Sequence, residues 1–172
     1  MQLAMVGLGR MGANIVRRLM RDGHDCVVYD VNADAVAALV TEGATGADSI
    51  ADLAAKLEPT RVVWMMVPAS LTGQVAEEVA AVLEPGDILI DGGNSNYRDD
   101  VRRAASLRER GIEYVDIGTS GGVFGLERGY CLMVGGSEKA FAHIEPVLRT
   151  IAPGVGEIER TPGRAGDLTP EE

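Results

Sequence analysis

The sequence has few cysteines, an excess of acidic over basic residues and no long apolar run. Cys26 and Cys131 cannot build a disulfide scaffold and lack metal-ligand spacing, so we expect reduced thiols in a cytoplasmic protein. No apolar run approaches the ~20 residues of a membrane span, and the N-terminus does not follow a signal-peptide pattern. There are 26 acidic and 16 basic residues, a formal net charge of −10. This balance disfavours nucleic acid or an anionic membrane as the partner.

The remaining composition is that of a folded domain. At 172 residues and 46% hydrophobic, the chain suits one domain with a genuine core and excludes disordered and collagen-like classes. Glycine, proline and charged residues dominate from Pro153 to Glu172. We therefore predict a folded domain over residues 1–155 and a linker or truncated connection over residues 156–172.

Short apolar runs alternate with helical stretches along the chain. The runs predict strands at Leu3–Val6, Cys26–Tyr29, Arg61–Val67, Asp87–Ile90, Glu113–Ile117 and Tyr130–Val134. Helices are predicted at Met11–Arg21, Ala33–Thr41, 50–57, Leu71–Leu83 and Tyr97–Arg110, and a last one, capped by Ser137, that Pro146 should kink or split. Near-continuous apolar strands alternating with helices predict an α/β fold, a doubly wound and mostly parallel sheet of the Rossmann type with helices on both faces.

The first motif is Gly7-Leu8-Gly9-Arg10-Met11-Gly12, which follows a strand and opens a helix. In this G-x-G-x-x-G pattern, Gly7 permits a tight turn, Gly9 lets the backbone approach a pyrophosphate, and Gly12 lets the helix pack on the strand. The phosphates would lie at the helix N-terminus, where free N–H groups and the helix dipole favour negative charge. The motif predicts a dinucleotide cofactor.

Asp30 ends the second strand, where such a site carries an acidic residue. Its carboxylate would accept hydrogen bonds from ribose hydroxyls and repel a ribose phosphate. Val31 follows it, and positions 31–35 contain no Arg or Lys, so NAD is favoured over NADP. The alternative is that the glycines only shape a turn and Asp30 only ends a strand; the combination of strand, helix and Asp30 disfavours it.

Two further polar, glycine-rich segments follow predicted strands, and both stay ambiguous on spacing alone. Asn94, in Asp91–Asn96, would reach a sugar hydroxyl or the nicotinamide amide, but the segment equally suits an ordinary turn. Ser120, in Gly118–Gly125, adds a hydroxyl to exposed backbone N–H groups that would cradle a carboxylate or phosphate. A flexible surface loop is slightly favoured for this second segment.

Other residues suggest structure rather than chemistry. Met65 and Met66 are predicted as core and pocket wall. A solvated face is the expected role of the basic side chains of one helix, namely Arg98, Arg102, Arg103, Arg108 and Arg110. The sequence shows no cluster of metal ligands, and neither histidine has an adjacent nucleophile.

Together these motifs resemble the N-terminal coenzyme-binding domain of decarboxylating 6-phosphogluconate dehydrogenase, in its shorter, NAD-preferring branch. The resemblance rests on Gly7–Asn14, Ile90–Ser95 and Gly118–Tyr130, whose order and spacing agree over essentially the whole chain. It implies oxidation of 6-phosphogluconate and decarboxylation to ribulose 5-phosphate, a step of the pentose phosphate pathway, without a metal.

The resemblance also implies roles for individual residues. The cofactor would be held by Gly7, Leu8, Gly9, Arg10, Met11, Gly12, Asp30, Val31, Met66, Val67, Pro68 and Asn94. The sugar phosphate would be held by Asn94, Ser120, Gly121 and Gly122. Pro68 departs from the Lys that is common in longer members of the family.

No catalytic residue of the family is expected within these residues. The family's catalytic Lys, in a Lys-x-x-His-Asn segment, and its Glu lie on a helix C-terminal to this domain. We therefore expect a domain that binds NAD but turns over no substrate, and a homo-oligomer formed through the helical domain that follows in the family. Two alternatives remain: a β-hydroxyacid dehydrogenase of other specificity, or a stand-alone NAD-binding regulatory module.

Overall fold

A computed structural model describes residues 1–154, which form one sheet with helices on both faces. The strands are β1 (Gln2–Val6), β2 (Asp25–Tyr29), β3 (Thr45–Gly46), β4 (Val62–Met65), β5 (Ile88–Asp91), β6 (Glu113–Ser120) and β7 (Cys131–Gly135). The helices are α1 (Arg10–Arg21), α2 (Ala33–Thr41), α3 (Ile50–Ala55), α4 (Ala69–Ala80), α5 (Tyr97–Glu109), α6 (Gly125–Arg128) and α7 (Glu138–Ile151).

The sheet has the strand order β3-β2-β1-β4-β5-β6-β7, and β1 to β6 are parallel. β7 pairs with β6 in the antiparallel direction, with Ile117 opposite Val134. The predicted doubly wound, mostly parallel Rossmann sheet is therefore confirmed. Because the strand order reverses between β1 and β4, the carboxyl ends of these two strands border the crevice where this fold binds ligands.

Alternate residues of the central strands enter two separate cores. On β1, Leu3 and Met5 pack with α1, α2 and α7, whereas Ala4 and Val6 pack with α3, α4 and α5. All four are at most 3% exposed. Burial on both faces explains why these strands are continuous apolar runs instead of alternating ones.

Two predictions about the C-terminal third are wrong. The segment Gly118–Gly125, for which a surface loop is slightly favoured, instead contains the end of β6, a short 3-10 helix (Gly122–Phe124) and the first residue of α6. α7 continues without a break across Pro146. Proline removes one backbone hydrogen bond, but α7 buries Ile144, Val147 and Ile151 against the sheet, which offsets that loss.

The predicted linker over residues 156–172 lies outside the described residues. Within residues 1–154, no helix has the length and apolar character needed to cross a membrane.

Candidate functional site

A cavity of about 870 Å³ opens at the carboxyl ends of the parallel strands. Residues from all three motifs line it. Those that the sequence predicted are Gly7, Gly9, Met11, Asp30, Val31, Met66, Val67, Pro68, Asn94 and Ser120. Its volume is in the range of small-molecule and cofactor sites, about 300–1,000 Å³.

Some predicted residues lie near the cavity without lining it. They are Leu8, Arg10, Gly12, Gly121 and Gly122. Leu8 is buried and Arg10 is exposed. A side chain at Gly121 would meet the Tyr130 ring at 2.7 Å, so this glycine permits close packing under the cavity.

The three glycines of the first motif meet different surroundings. Gly7 has φ +95°, and a Cβ there would lie 2.6 Å from the Met66 carbonyl oxygen. A Cβ on Gly12 would overlap the carbonyl oxygen of Gly7. Around Gly9, no atom of the described residues comes within 4 Å of where a Cβ would be. Gly7 and Gly12 therefore close the turn onto its helix, while Gly9 leaves open space beside the backbone.

This open space lies at the start of α1, which is suited to bind an anion. Gly9 is the N-cap, no side chain caps the helix, and the first turn contains no acidic residue. The first N–H groups of a helix have no intrahelical partner, and with the helix dipole they attract negative charge. The turn therefore fits the pyrophosphate of a dinucleotide.

Asp30 does more than end β2. One carboxylate oxygen accepts a hydrogen bond from the Leu8 N–H at 2.6 Å, and the other accepts one from the Asn32 N–H at 2.8 Å. The carboxylate thus ties the glycine turn to the end of the neighbouring strand. Each oxygen keeps a further lone pair, and Asp30 lines the cavity, so it can also accept from a ligand hydroxyl.

The second motif is an anchored turn that lines the cavity. The Asp91 side chain is completely buried, and its oxygens accept hydrogen bonds from the Gly93 N–H at 2.9 Å and the Ser95 hydroxyl at 2.7 Å. A Cβ on Gly92 would overlap the Trp64 indole nitrogen. The turn is therefore packed onto the sheet, and it presents Asn94 to the cavity.

The structure adds cavity residues that the sequence did not indicate. Leu71, Val75 and Glu78 extend the wall along α4, and Thr119 lies beside Ser120. On α4 the apolar residues are mixed with polar ones, as in any surface helix. The partial exposure of Leu71, at 46%, becomes informative only once the cavity is seen.

The lining carries little positive charge. Within the described part of the chain, the cavity wall includes Asp30 and Glu78 but no Lys, Arg or His. In the same residues, no group of three or more His, Cys, Asp or Glu side chains is placed to hold a metal ion. Phosphate groups would therefore be held by backbone N–H groups.

The strand order, the glycine turn and the cavity at the switch point define a dinucleotide-binding domain of the Rossmann type. The family model described as the NAD binding domain of 6-phosphogluconate dehydrogenase matches residues 2–159. The chain therefore belongs to this family.

Known proteins support the assignment. The chain is 42% identical over 155 residues to the NAD(+)-dependent, decarboxylating 6-phosphogluconate dehydrogenase of Haloferax volcanii, covering 90% of this chain and 51% of the relative. The Plasmodium falciparum 6-phosphogluconate dehydrogenase structure, described with NADP+ and 6-phosphogluconate, superposes with TM-score 0.84 and 26% identity over 91% of this chain and 35% of that one.

A related enzyme with a different substrate is also similar. The 3-hydroxyisobutyrate dehydrogenase of Mycobacterium tuberculosis superposes with TM-score 0.81 and 27% identity, covering 88% of this chain and 52% of that one. The chain thus spans about half of some relatives and about a third of others. It is an NAD(P)-binding domain of an oxidoreductase family that includes 6-phosphogluconate and hydroxyacid dehydrogenases.

Proposed function

We propose that the chain is the coenzyme-binding part of an NAD-preferring, decarboxylating 6-phosphogluconate dehydrogenase. The observation that carries this proposal is that the glycine turn, Asn94 and Ser120 line one cavity. The cavity is therefore lined by most of the predicted cofactor residues and, of the residues that the resemblance gives to the sugar phosphate, by Asn94 and Ser120. The named relative from Haloferax volcanii supports both the substrate and the cofactor.

The preference for NAD follows from the charge around Asp30. A carboxylate at this position accepts from the ribose hydroxyls and repels a 2′-phosphate. An NADP site carries a basic residue nearby, but the described lining has none and Val31, the next residue, is 93% exposed and apolar. The Plasmodium falciparum structure, in contrast, is described with NADP+.

Each part of the cavity has a proposed task. The Gly7–Gly12 turn, with the backbone of Leu8 and Arg10, holds the pyrophosphate, and Asp30 holds the adenosine ribose. Met66, Val67 and Pro68 cover the middle of the dinucleotide. Asn94 and Ser120, with the backbone of Gly121 and Gly122, orient the nicotinamide and the sugar phosphate. When bound, the nicotinamide supplies the hydride acceptor for oxidation of the sugar hydroxyl.

The remaining chemistry is assigned to residues beyond this domain. No Lys-x-x-His-Asn segment occurs among the 172 residues. We therefore expect binding without turnover, and we propose that a helical domain supplies the catalytic groups and the homo-oligomer of a cytoplasmic enzyme. If the reading frame continues past Glu172 into such a segment, the enzyme is favoured over a stand-alone regulatory module.

The test is an assay of the purified chain with NAD and 6-phosphogluconate, together with calorimetry of NADH binding. We expect NADH to bind and no NADH to form. Oxidation of 6-phosphogluconate by protein free of contaminating enzyme would contradict the assignment of catalysis to another domain. Absence of NADH binding would contradict the proposed cofactor role.

A second candidate is a β-hydroxyacid dehydrogenase of other specificity, which the superposition on 3-hydroxyisobutyrate dehydrogenase favours. Asn94 distinguishes the two, because it is proposed to contact the sugar phosphate only in the first. In a full-length enzyme, Asn94→Ala with unchanged turnover of 6-phosphogluconate would favour the second candidate.

A further inference from the structure

Behind the second motif lies a chain of buried and half-buried polar side chains that the proposed function does not use. Its members, called here the Asp91 network, are Asp91, Ser95, Asp100, Arg103 and Tyr114. Asp91 and Asp100 are 0% and 5% exposed, so two carboxylates are withdrawn from water in one place. Burying such charges is costly unless each is paired and hydrogen-bonded.

The helix side of the network supplies the pairing. One Arg103 nitrogen donates to Asp100 at 2.7 Å and to the Tyr114 hydroxyl at 2.9 Å, and it lies 3.7 Å from an Asp91 oxygen. The expectation that Arg103 belongs to a solvated basic face is therefore wrong. In the sequence, Arg103 is only an arginine among acidic residues. The structure shows that β6 places Tyr114 beneath Arg103.

Tyr114 is the bridge between the two carboxylates. Its hydroxyl lies 3.2 Å from Asp91 and 3.0 Å from Asp100, so its single proton serves one carboxylate at a time. Burial raises the pKa of Asp100, and the nearby charge of Asp91 adds to this, while Tyr114 and Arg103 oppose it. The Tyr114 hydroxyl and the Arg103 guanidinium thus offset the cost of burying two neighbouring carboxylates, and together they keep the Asp91 side chain in place.

At its other end the network contacts two segments that line the cavity, the Asn94 turn and the segment at Pro68. Asp91 holds Gly93 and Ser95, the two residues that flank Asn94. The Ser95 hydroxyl lies 3.2 Å from the Thr72 hydroxyl, which in turn donates to the Pro68 carbonyl at 3.4 Å. Pro68 also lines the cavity.

We propose that Tyr114, Asp100 and Arg103 are positioning residues. They hold the Asn94 turn in place relative to Pro68, so that the turn can bind the nicotinamide half of the dinucleotide. This inference rests on the proposed function, because it takes Asn94 to contact the nicotinamide. The adenosine half depends on the glycine turn and Asp30, which share no hydrogen bond with the network among the described residues. Loss of the network therefore weakens one half of the ligand selectively.

The experiment compares NADH with ADP-ribose, which lacks the nicotinamide, by calorimetry on the full chain. Tyr114→Phe removes the bridging hydroxyl and keeps the ring. Ser95→Ala removes the link beside Asn94 and is a second variant if the first folds poorly. Tyr97→Phe is the matched control, because Tyr97 is 64% exposed and its hydroxyl accepts only from Arg98 among the described residues.

We expect Tyr114→Phe and Ser95→Ala to weaken NADH binding about three- to tenfold, the range for the loss of one ordinary hydrogen bond. ADP-ribose should change less than about twofold, and Tyr97→Phe should change neither ligand. A merely structural role would weaken both ligands together, since partial unfolding removes the whole site.

The outcomes separate the two proposals. If the unmodified chain binds both ligands and both variants keep the ratio of NADH to ADP-ribose affinity, the positioning role is overturned and the cofactor site stands. If the unmodified chain binds neither ligand, the proposed function fails and the inference fails with it.

Discussion

At the scale of single residues, Gly9 and Gly12 belong to one motif but serve different purposes. Gly12 has no space for a side chain, whereas Gly9 borders open space at the start of α1. The sequence pattern treats them alike. The structure separates a glycine required for packing from one with open space beside it, where we propose that the ligand binds.

Substitution by alanine should expose this difference. Gly12→Ala forces a Cβ into the Gly7 carbonyl and should cost about 3 kcal/mol of stability or more. Gly9→Ala should cost under about 1 kcal/mol, as expected for alanine at an N-cap. It should nevertheless weaken NADH strongly, because the methyl group occupies the proposed pyrophosphate position.

Thermal unfolding and calorimetry on the two variants check this prediction. Gly9→Ala that unfolds as readily as Gly12→Ala would show that both glycines are structural. Gly9→Ala with unchanged NADH affinity would place the pyrophosphate elsewhere.

At the scale of elements, β5 and β6 bring acidic residues side by side. Asp116 on β6 is in register with Asp91 on β5, on the face that α5 covers. Burial raises the pKa of Asp116 above its ordinary value of 3.8, and the charges of Asp100 and Asp91 raise it further. Among the described residues, its side chain forms no hydrogen bond or ion pair.

This arrangement predicts a pH-dependent cost. A raised pKa means that the folded chain binds the proton more tightly than the unfolded chain, so stability falls as pH rises from 3.8 through the folded pKa. Asp116→Asn removes the charge and should raise the unfolding midpoint at pH 7. At pH 4, close to the ordinary pKa of 3.8, the gain should shrink.

Denaturant unfolding at several pH values measures this effect, with the exposed Asp48→Asn as the matched control. Asp48 is exposed and lies apart from Asp91, Asp100 and Asp116, so Asp48→Asn should not produce a comparable gain in stability at pH 7. An Asp116→Asn gain that is equal at pH 4 and pH 7 would contradict the assigned cause.

The elements also show what the sequence could predict. The Ser137 cap and the glycine turn that opens α1 depend on neighbouring residues, and the structure confirms both. The β3 strand is two residues long and has no pattern to detect. Tyr114 and Arg103 lie eleven residues apart and meet through a strand and a helix, so local patterns could not predict their contact.

At the scale of the whole molecule, the parallel sheet explains why three separated motifs form one site. Each motif lies at the carboxyl end of a different strand, and parallel strands place their carboxyl ends at the same edge. The order of the motifs is visible in the sequence, but only the structure shows that the second and third motifs line the same cavity as the first. Asp91 and Tyr130 show this, because each appears locally as an ordinary residue and each anchors a glycine segment.

The measurement that tests the central claim most directly is a titration of the chain with NADH and then NADPH, followed by calorimetry and by quenching of Trp64. Trp64 is completely buried beneath Gly92, whose turn lines the cavity, so its fluorescence should report a bound nicotinamide. The Asp30→Ala variant should lose any preference for NADH over NADPH. The Asp34→Ala variant, which lacks an exposed carboxylate nearby, should retain that preference. We expect the unmodified chain to bind NADH more tightly than NADPH. Equal or tighter binding of NADPH would contradict the role of Asp30, and binding of neither would contradict the cofactor site.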